Sequence, residues 1–290
     1  MNYRPYCIPC FLRRTLHTAE LATADAWLHR KILGEIMADL VKADDEATPA
    51  EVIHRIFRKT AKTLGLTDPY GEEKRRWQEE VLANADWIRQ KVDRSPDPLF
   101  TALKLSIAAN VLDNELRPLL TLKGLLEGLD DVPFEPECLD LFRQKTAEAR
   151  SILFIHDTAG ELFFDRILIE KLGKPRQAIT SVVRLLPVLT DAVREEALQA
   201  GMDKVVGAII DPGIDCQGIP LGECSEEFRR TFQAADLVLV KGQAGYQTLE
   251  DRKSPQAGAE KEIFFLLAIK CPVMAGCLGV NLGELVLERG

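Results

Sequence analysis

Residues 152–169, which read ILFIHDTAGELFFDRILI, constrain the fold more than any other stretch of this chain. They open on four bulky apolar residues, Ile152, Leu153, Phe154 and Ile155, a run of the right length for a strand covered on both faces. The run breaks at His156-Asp157-Thr158-Ala159-Gly160, and from Glu161 the apolar residues Leu162, Phe163, Ile167 and Leu168 return at helical spacing with charge between them. The reading is strand, tight turn, helix. A turn of this kind leaves Asp157 and Thr158 at the carboxyl end of a strand, beside unpaired N–H groups of a helix start, where open α/β sheets bind ligands.

The same short apolar runs recur at 178–183, 205–210, 237–240 and 272–274, with helical segments such as 191–200 and 226–234 between most of them. Strands alternating with helices predict βαβ units and a mainly parallel sheet. The most apolar region, 263–280, is interrupted by Lys270, Pro272 and two glycines, so it reads as a helix followed by a buried strand and not as a membrane span. Upstream the pattern is different. From residue 20 to about 150 apolar residues keep helical spacing, as in Leu28, Ile32, Ile36 and Leu40, and again in Trp77, Val81, Ala85, Ile88 and Val92. The expectation is an α/β protein: an α-helical domain over 1–150, then a mainly parallel, Rossmann-like three-layer sheet domain over 151–290.

Composition narrows the function classes. With 46% apolar and 28% charged residues the chain is an ordinary globular one, and a formal net charge of -8 argues against nucleic-acid binding. A phosphate-bearing substrate would therefore need a local cation. Met1 to Pro9 has no long apolar core, so no amino-terminal signal is expected. Seven cysteines, an odd number, suggest reduced thiols and a cytoplasmic setting. Cys7-Ile8-Pro9-Cys10 lacks the partner ligands of a tetrahedral zinc site and reads as two thiols packed where a leading segment meets a helix.

In a parallel sheet every strand's carboxyl end points to one edge. The residues just past the runs are Asp157 and Thr158; Arg184, with Asp191 beyond it; Asp211, Gly213 and Asp215; and Lys241-Gly242-Gln243. Any one of these alone could cap a strand end. Asp157, Asp191 and Lys241 together, from three separate turns, suit a divalent ion such as Mg²⁺ or Mn²⁺ with a lysine meeting phosphate as a point charge. His156 reads as packing beside the turn. Asn110 and Asp113 share a face on the helix that starts near Pro98, and by spacing alone they read as a helix end whose polar groups satisfy nearby backbone. No G-x-G-x-x-G, P-loop or G-x-S-x-G pattern is present at these turns.

With these residues in view the chain resembles the damage-control phosphatase family, metal-dependent phosphatases of the domain-of-unknown-function 89 group. The likeness runs from C-x-x-C with Leu12, Arg13 and Arg14, through the helix of Asn110 and Asp113, to Lys270-Cys271-Pro272-Val273 and Leu278-Gly279-Val280. The family's D-N-A-G-E turn followed by F-D reads here as Asp157-Thr158-Ala159-Gly160-Glu161 with Phe164-Asp165; its V-R-G-x-P-V-x-N-D-A-T reads as residues 183–193; its K-G-Q-G-N-Y-E-T reads as residues 241–248. Thr158 and Thr190 stand where the family has Asn, and Gly245 and Gln247 where it has Asn and Glu. A threonine hydroxyl can still ligate Mg²⁺.

The resemblance implies a metal-dependent phosphomonoester hydrolase of a small phosphorylated metabolite: a phosphosugar, a phosphopantetheine-like compound or a damaged nucleotide. It implies Asp157, Thr158 and Asp191 as ligands of Mg, Mn, Co or Ni, and Asp157 and Lys241 as catalytic groups. Asn110, Asp113, Gly160, Glu161, Arg184, Lys241 and Gly242 are the expected substrate contacts. Attack on phosphorus falls to Asp157 or to water. The alternatives are a phosphometabolite-binding protein whose catalyst has weakened through the substitutions at Thr158, Gly245 and Gln247, and, behind it, an S-adenosylmethionine-dependent carboxyl methyltransferase. No nucleic acid or membrane is expected as a partner, and self-association is left open. Substrate selection is expected in the helical half and in the loops after Asp211 and Lys241.

Overall fold

The computed structural model describes residues 1–44, 46–111, 121–134, 136–250 and 261–290. The first part of the chain is helical: α1 (Cys7–Ala22), α2 (Ala26–Leu40), α3 (Pro49–Leu64), α4 (Gly71–Ala83), α5 (Ala85–Asp93), α6 (Pro98–Ala109), α7 (Leu122–Gly128) and α8 (Leu139–Glu148). Local chemistry sets the ends. Thr48 and Glu51 close a reciprocal cap over the start of α3, Pro49 occupies its first turn, and Gly65 ends it at φ 70°. The stripe from Trp77 to Val92 is split between α4 and α5 at Asn84. Cys7 opens α1 and is buried, with the Arg4 N–H 3.4 Å from its sulfur.

Six strands follow: β1 (Ile152–Ile155), β2 (Ile179–Val182), β3 (Ala208–Ile210), β4 (Leu237–Lys241), β5 (Glu262–Ala268) and β6 (Leu285–Arg289). They form one sheet in the order β3-β2-β1-β4-β5-β6. All neighbours are parallel except β5 and β6. The chain winds outward from β1 in both directions, so the switch point lies between β1 and β4. Side chains alternate across the sheet as the pleat requires. Ile152, Phe154, Leu237, Leu239, Phe264 and Leu266 join one core with α6 and α9 (Leu162–Lys171). Leu153, Ile155, Val238, Val240, Phe265 and Leu267 join a second with α11 (Glu226–Ala234) and α12 (Gly242–Leu249). Three layers result, with packing that crosses residue 150: Leu103, Ile107 and Phe142 of the helical part lie in the same core as Ile152 and Phe154.

Between 263 and 280 the order of elements is the reverse of the one expected from sequence. The apolar run forms β5, and residues 272–274 begin helix α13 (Pro272–Leu278) in place of a strand. The reason is visible locally: seven consecutive apolar residues after Glu262 suit a strand buried on both faces, while Pro272 fits a helix start and Gly279, at φ 70°, its end. The segment read as helical over 191–200 contains α10 (Arg194–Gln199), a shorter helix. Among the described residues no helix is long and apolar enough to cross a membrane.

A third core sits among α1, α2 and α3, built on Phe11, Ile32, Ile36, Ile56 and Phe57. Val188 and Leu189, from the loop after β2, are buried in it. Leu189 has φ 47°, the one left-handed non-glycine among the described residues.

Candidate active site

Backbone pairing brings the two acidic turns together. Just past β1 and β2 the chain forms an isolated antiparallel bridge between Thr158 and Asp191. The Ala192 N–H donates to the Asp157 carbonyl at 2.8 Å and the Ala159 N–H to the Thr190 carbonyl at 2.9 Å. Asp157 and Asp191, thirty-four positions apart, are thus neighbours at the carboxyl edge of the sheet. Gly242 closes the other side, at the first turn of α12 with φ 75°. A Cβ on Gly242 would lie 1.9 Å from the Asp157 Oδ2, so only glycine lets the carboxylate settle there.

Asp191 is held by a buried guanidinium. Arg184 Nε donates to Asp191 Oδ2 at 2.7 Å, its Nη1 donates to the Gly218 carbonyl at 2.9 Å, and Gln217 Nε2 reaches Asp191 Oδ1 at 3.4 Å. Burial pushes the Asp191 carboxyl up to about 6, with Arg184 opposing the rise and Asp157 adding to it. Asn110 caps the end of α6. It is fully buried, and its Nδ2 donates to Asp157 Oδ2 at 2.9 Å and to both Glu161 oxygens at 3.0 Å. The sequence reading of Asn110 as a group that satisfies nearby backbone is therefore replaced by a side-chain contact with the acidic turn. Its own carbonyl accepts from Lys270 Nζ at 2.8 Å, which ties the Lys-Cys-Pro-Val segment to the site.

Behind these groups lies a buried polar cluster. Lys241 is inaccessible to solvent, and its Nζ donates to Glu161 Oε2 at 2.8 Å, Asp165 Oδ1 at 2.8 Å and the Ser106 carbonyl at 2.5 Å. Asp165 Oδ1 also accepts from Ser106 Oγ at 2.6 Å, and its Oδ2 lies 2.7 Å from His156 Nδ1. His156 stacks on Phe154 and reaches Ser181 Oγ at 3.0 Å, so it does pack beside the turn, as part of this cluster. The Thr158 N–H donates to Glu161 Oε1 at 2.7 Å. Burial pushes Glu161 up to about 7, opposed by the Lys241 ammonium and reinforced by Asp165 and Asp157. Burial would also raise Asp165, but Lys241 and His156 outweigh it and hold this carboxyl below the usual range. Burial disfavours the Lys241 ammonium, and the two carboxylates reverse that effect and raise its pKa.

A Glu161→Gln variant is expected to change the pH dependence of stability. The folded value of about 7 lies above the ordinary 4.5, so this group's contribution is complete below 4.5 and is lost as pH rises through 7. Relative to the unaltered protein, the variant should gain stability steadily across that interval, by up to about 3 kcal/mol. Urea unfolding at pH 5, 6, 7 and 8 measures it; parallel curves for the two proteins rule out the shift.

The expected site residues distribute as follows. Asp157, Thr158, Gly160, Glu161, Arg184, Asp191, Lys241, Gly242 and Asn110 all gather at or behind one rim, and Asp113 lies outside the described residues. Lys241, expected from sequence to meet phosphate as a point charge, directs the donors of its ammonium at protein acceptors in this structure. Ser106, Asp165 and Gln217 were not among the expected site residues. Two of them were within reach of the pattern: Asp165 lies four residues after Glu161, and Ser106 four before Asn110, each on the same helical face as its partner.

The donor set fits a hard cation. Beside the two carboxylates, Asn110 Oδ1 and Thr158 Oγ1 are buried oxygens with no hydrogen-bond partner, and oxygen ligands are what Mg²⁺ and Mn²⁺ prefer. A carboxylate that already accepts a hydrogen bond retains lone pairs for a metal. Among the described residues no group of three or more His, Cys, Asp and Glu is arranged to hold a metal, so the set depends on amide and hydroxyl oxygens as well. Arg184 Nη2 is likewise buried and unpartnered.

An open, mostly parallel three-layer sheet whose turns after β1 and β2 meet at its carboxyl edge, beside the switch point, defines a Rossmann-like α/β protein. Residues 3–286 match the family described as the damage-control phosphatase ARMT1-like domain. A damage-control phosphatase of Archaeoglobus fulgidus is 32% identical to this chain over 299 aligned positions, spanning 99% of each. A damage-control phosphatase of Pyrococcus horikoshii is 32% identical over 293 positions, spanning 100% of this chain and 98% of its own. The crystal structure of a DUF89 family protein from Pyrococcus horikoshii superposes with a TM-score of 0.87 at 29% identity, over 100% of this chain and 99% of that one. The chain belongs to the damage-control phosphatase ARMT1-like family.

Proposed function

We propose that this protein is a phosphatase of a small, damaged phosphorylated metabolite and that it depends on a divalent metal. The observation that carries the reading is the meeting of Asp157 and Asp191 across a backbone bridge, with Asn110 Oδ1 and Thr158 Oγ1 left unpartnered beside them. Relatives that span the full chain and are named damage-control phosphatases support it. Asp157, Asp191, Asn110 and Thr158 would hold the ion. When bound, it would offset the charge that builds on phosphate oxygens as the ester bond breaks.

The chain's own groups do the rest. Arg184 anchors Asp191 through Nε and keeps Nη2 for a phosphate oxygen. Asn110 fixes the orientation of Asp157. Lys241 neutralises the buried carboxylates that hold Asn110 and the turn in place, so it is a positioning residue in this reading.

The test is turnover of p-nitrophenyl phosphate with Mg²⁺, Mn²⁺, Co²⁺ or Ni²⁺. Activity is expected with at least one of them and is expected to fall to background on chelation. Turnover that withstands exhaustive chelation sinks the metal dependence. Metal binding without turnover of any phosphomonoester instead supports a binding protein, the reading that the substitutions at Thr158, Gly245 and Gln247 favour.

A further inference from the structure

A cavity of about 340 Å³ opens between α3, the turn preceding it and the loop after β3. Among the described residues five carboxylates line it, those of Asp44, Glu46, Glu51, Asp215 and Glu223, against one guanidinium, Arg55. Not all of that charge is free. The Glu51 carboxylate accepts from the Thr48 N–H at 2.6 Å, Asp44 Oδ1 accepts from the Glu46 N–H at 3.0 Å, and Asp215 is paired with Arg58 and His54. Burial holds the His54 pKa below its ordinary value, so the ring adds no charge near pH 7. Glu46 and Glu223 remain exposed at the mouth.

A second observation connects this cavity to the acidic rim. Gln217 lines it and is only 8% exposed; its Nε2 faces Asp191, and its Oε1 has no partner. Of the groups left over in the cavity, the carboxylates of Asp44, Glu46 and Glu223 outnumber the Arg55 guanidinium, and with the Gln217 amide oxygen they accept hydrogen bonds and attract positive charge. Beyond Gln217, at the acidic rim where Arg184 holds Asp191, Arg184 Nη2 is the leftover donor. A phosphomonoester would be oriented by this polarity, its phosphate repelled by the carboxylates toward Arg184 and its organic portion placed in the cavity.

We propose that this cavity receives the leaving group of the substrate and selects phosphomonoesters that carry an ammonium group, such as amino-sugar phosphates, with Glu46, Glu223 and Gln217 as the selecting residues. The proposal rests on the phosphatase reading for the identity of the site and extends it to the substrate class. The probes are glucosamine 6-phosphate and glucose 6-phosphate, which differ by one ammonium in place of a hydroxyl. Titration calorimetry without added divalent ion measures binding apart from turnover.

The amino sugar is expected to bind about fivefold more tightly to the unaltered protein, the magnitude of one or two partly exposed charge contacts. The preference should shrink when salt is raised from about 50 mM to about 500 mM, and it should vanish in the E46Q/E223Q double variant. Equal binding of the two sugars, binding of neither, or a preference that survives in the double variant overturns the proposal. Turnover of p-nitrophenyl phosphate by the unaltered protein reports on the parent reading separately: selective binding of the amino sugar without any turnover keeps the cavity assignment and removes the phosphatase.

Discussion

Replacing Lys241 with Met is expected to lower stability by about 3–5 kcal/mol, the effect of removing one member of a buried ion cluster. Among the described residues the ammonium is the only cation against two fully buried carboxylates, those of Glu161 and Asp165, apart from the titratable His156 ring on the far side of Asp165. Without it neither carboxylate has water to turn to, and both are driven toward protonation. The deficit should therefore be larger at pH 8 than at pH 5. In a chain of this length the midpoint of thermal unfolding should fall by roughly 10 °C. Neutralising the partners as well, in the triple variant K241M/E161Q/D165N, should restore most of the loss, because amides of similar shape need no counter-charge. Scanning calorimetry of the single and triple variants decides the matter. A single variant as stable as the unaltered protein would falsify the account of Lys241 as a charge-compensating residue.

The second large effect is expected at Gly242. Alanine there places a methyl 1.9 Å from Asp157 Oδ2 and must also adopt φ 75°. Asp157 has to give way, and a displacement of about 1 Å of a group that positions reacting atoms costs on the order of a hundredfold in rate. Gly242→Ala should therefore lose at least that factor in kcat/KM for p-nitrophenyl phosphate. Asp157→Asn, which keeps the shape and removes the charge, should lose on the order of a thousandfold. Steady-state kinetics of the two variants, with circular dichroism to show that the fold persists, provides the measurement. Full activity in Gly242→Ala means that the contact with glycine does not set the position of Asp157.

The parts of this molecule legible in the sequence are those written in local chemistry. β1 is the run Ile152–Ile155 itself, because four bulky apolar residues ending at a polar turn leave little choice of boundary. α11 matches its segment for the same reason, with Ser225 capping it through a bond to the Phe228 N–H. β6 was not foreseen: Leu285, Val286 and Leu287 are followed by Glu288 and Arg289, and only pairing with β5 makes that short run a strand. In 263–280, length and a proline should have outweighed overall hydropathy, since seven apolar residues are short for a helix and proline favours a helix's first turn.

The candidate site divides along the same line. Asp157, Asp191 and Lys241 could be listed from the ends of apolar runs, because a parallel sheet sends all those ends to one edge. What Lys241 does there could not, because Ser106 and Asp165 reach it from α6 and α9 through packing that no single segment records. Gln217 carries no periodic or motif signal, and only the path of the loop after β3 brings it to Asp191.

Leu189 has a consequence for how this architecture can change over time. A left-handed leucine is held at a cost of about 1–3 kcal/mol, offset here by side chains driven into a core made from the amino-terminal helices. Two positions further on stands Asp191. The amino-terminal helices are thus not an appendage that recombination could trade for another module: a sheet deprived of them would let the 188–191 segment relax and release one of its two acidic groups. Helices and sheet have to be inherited together.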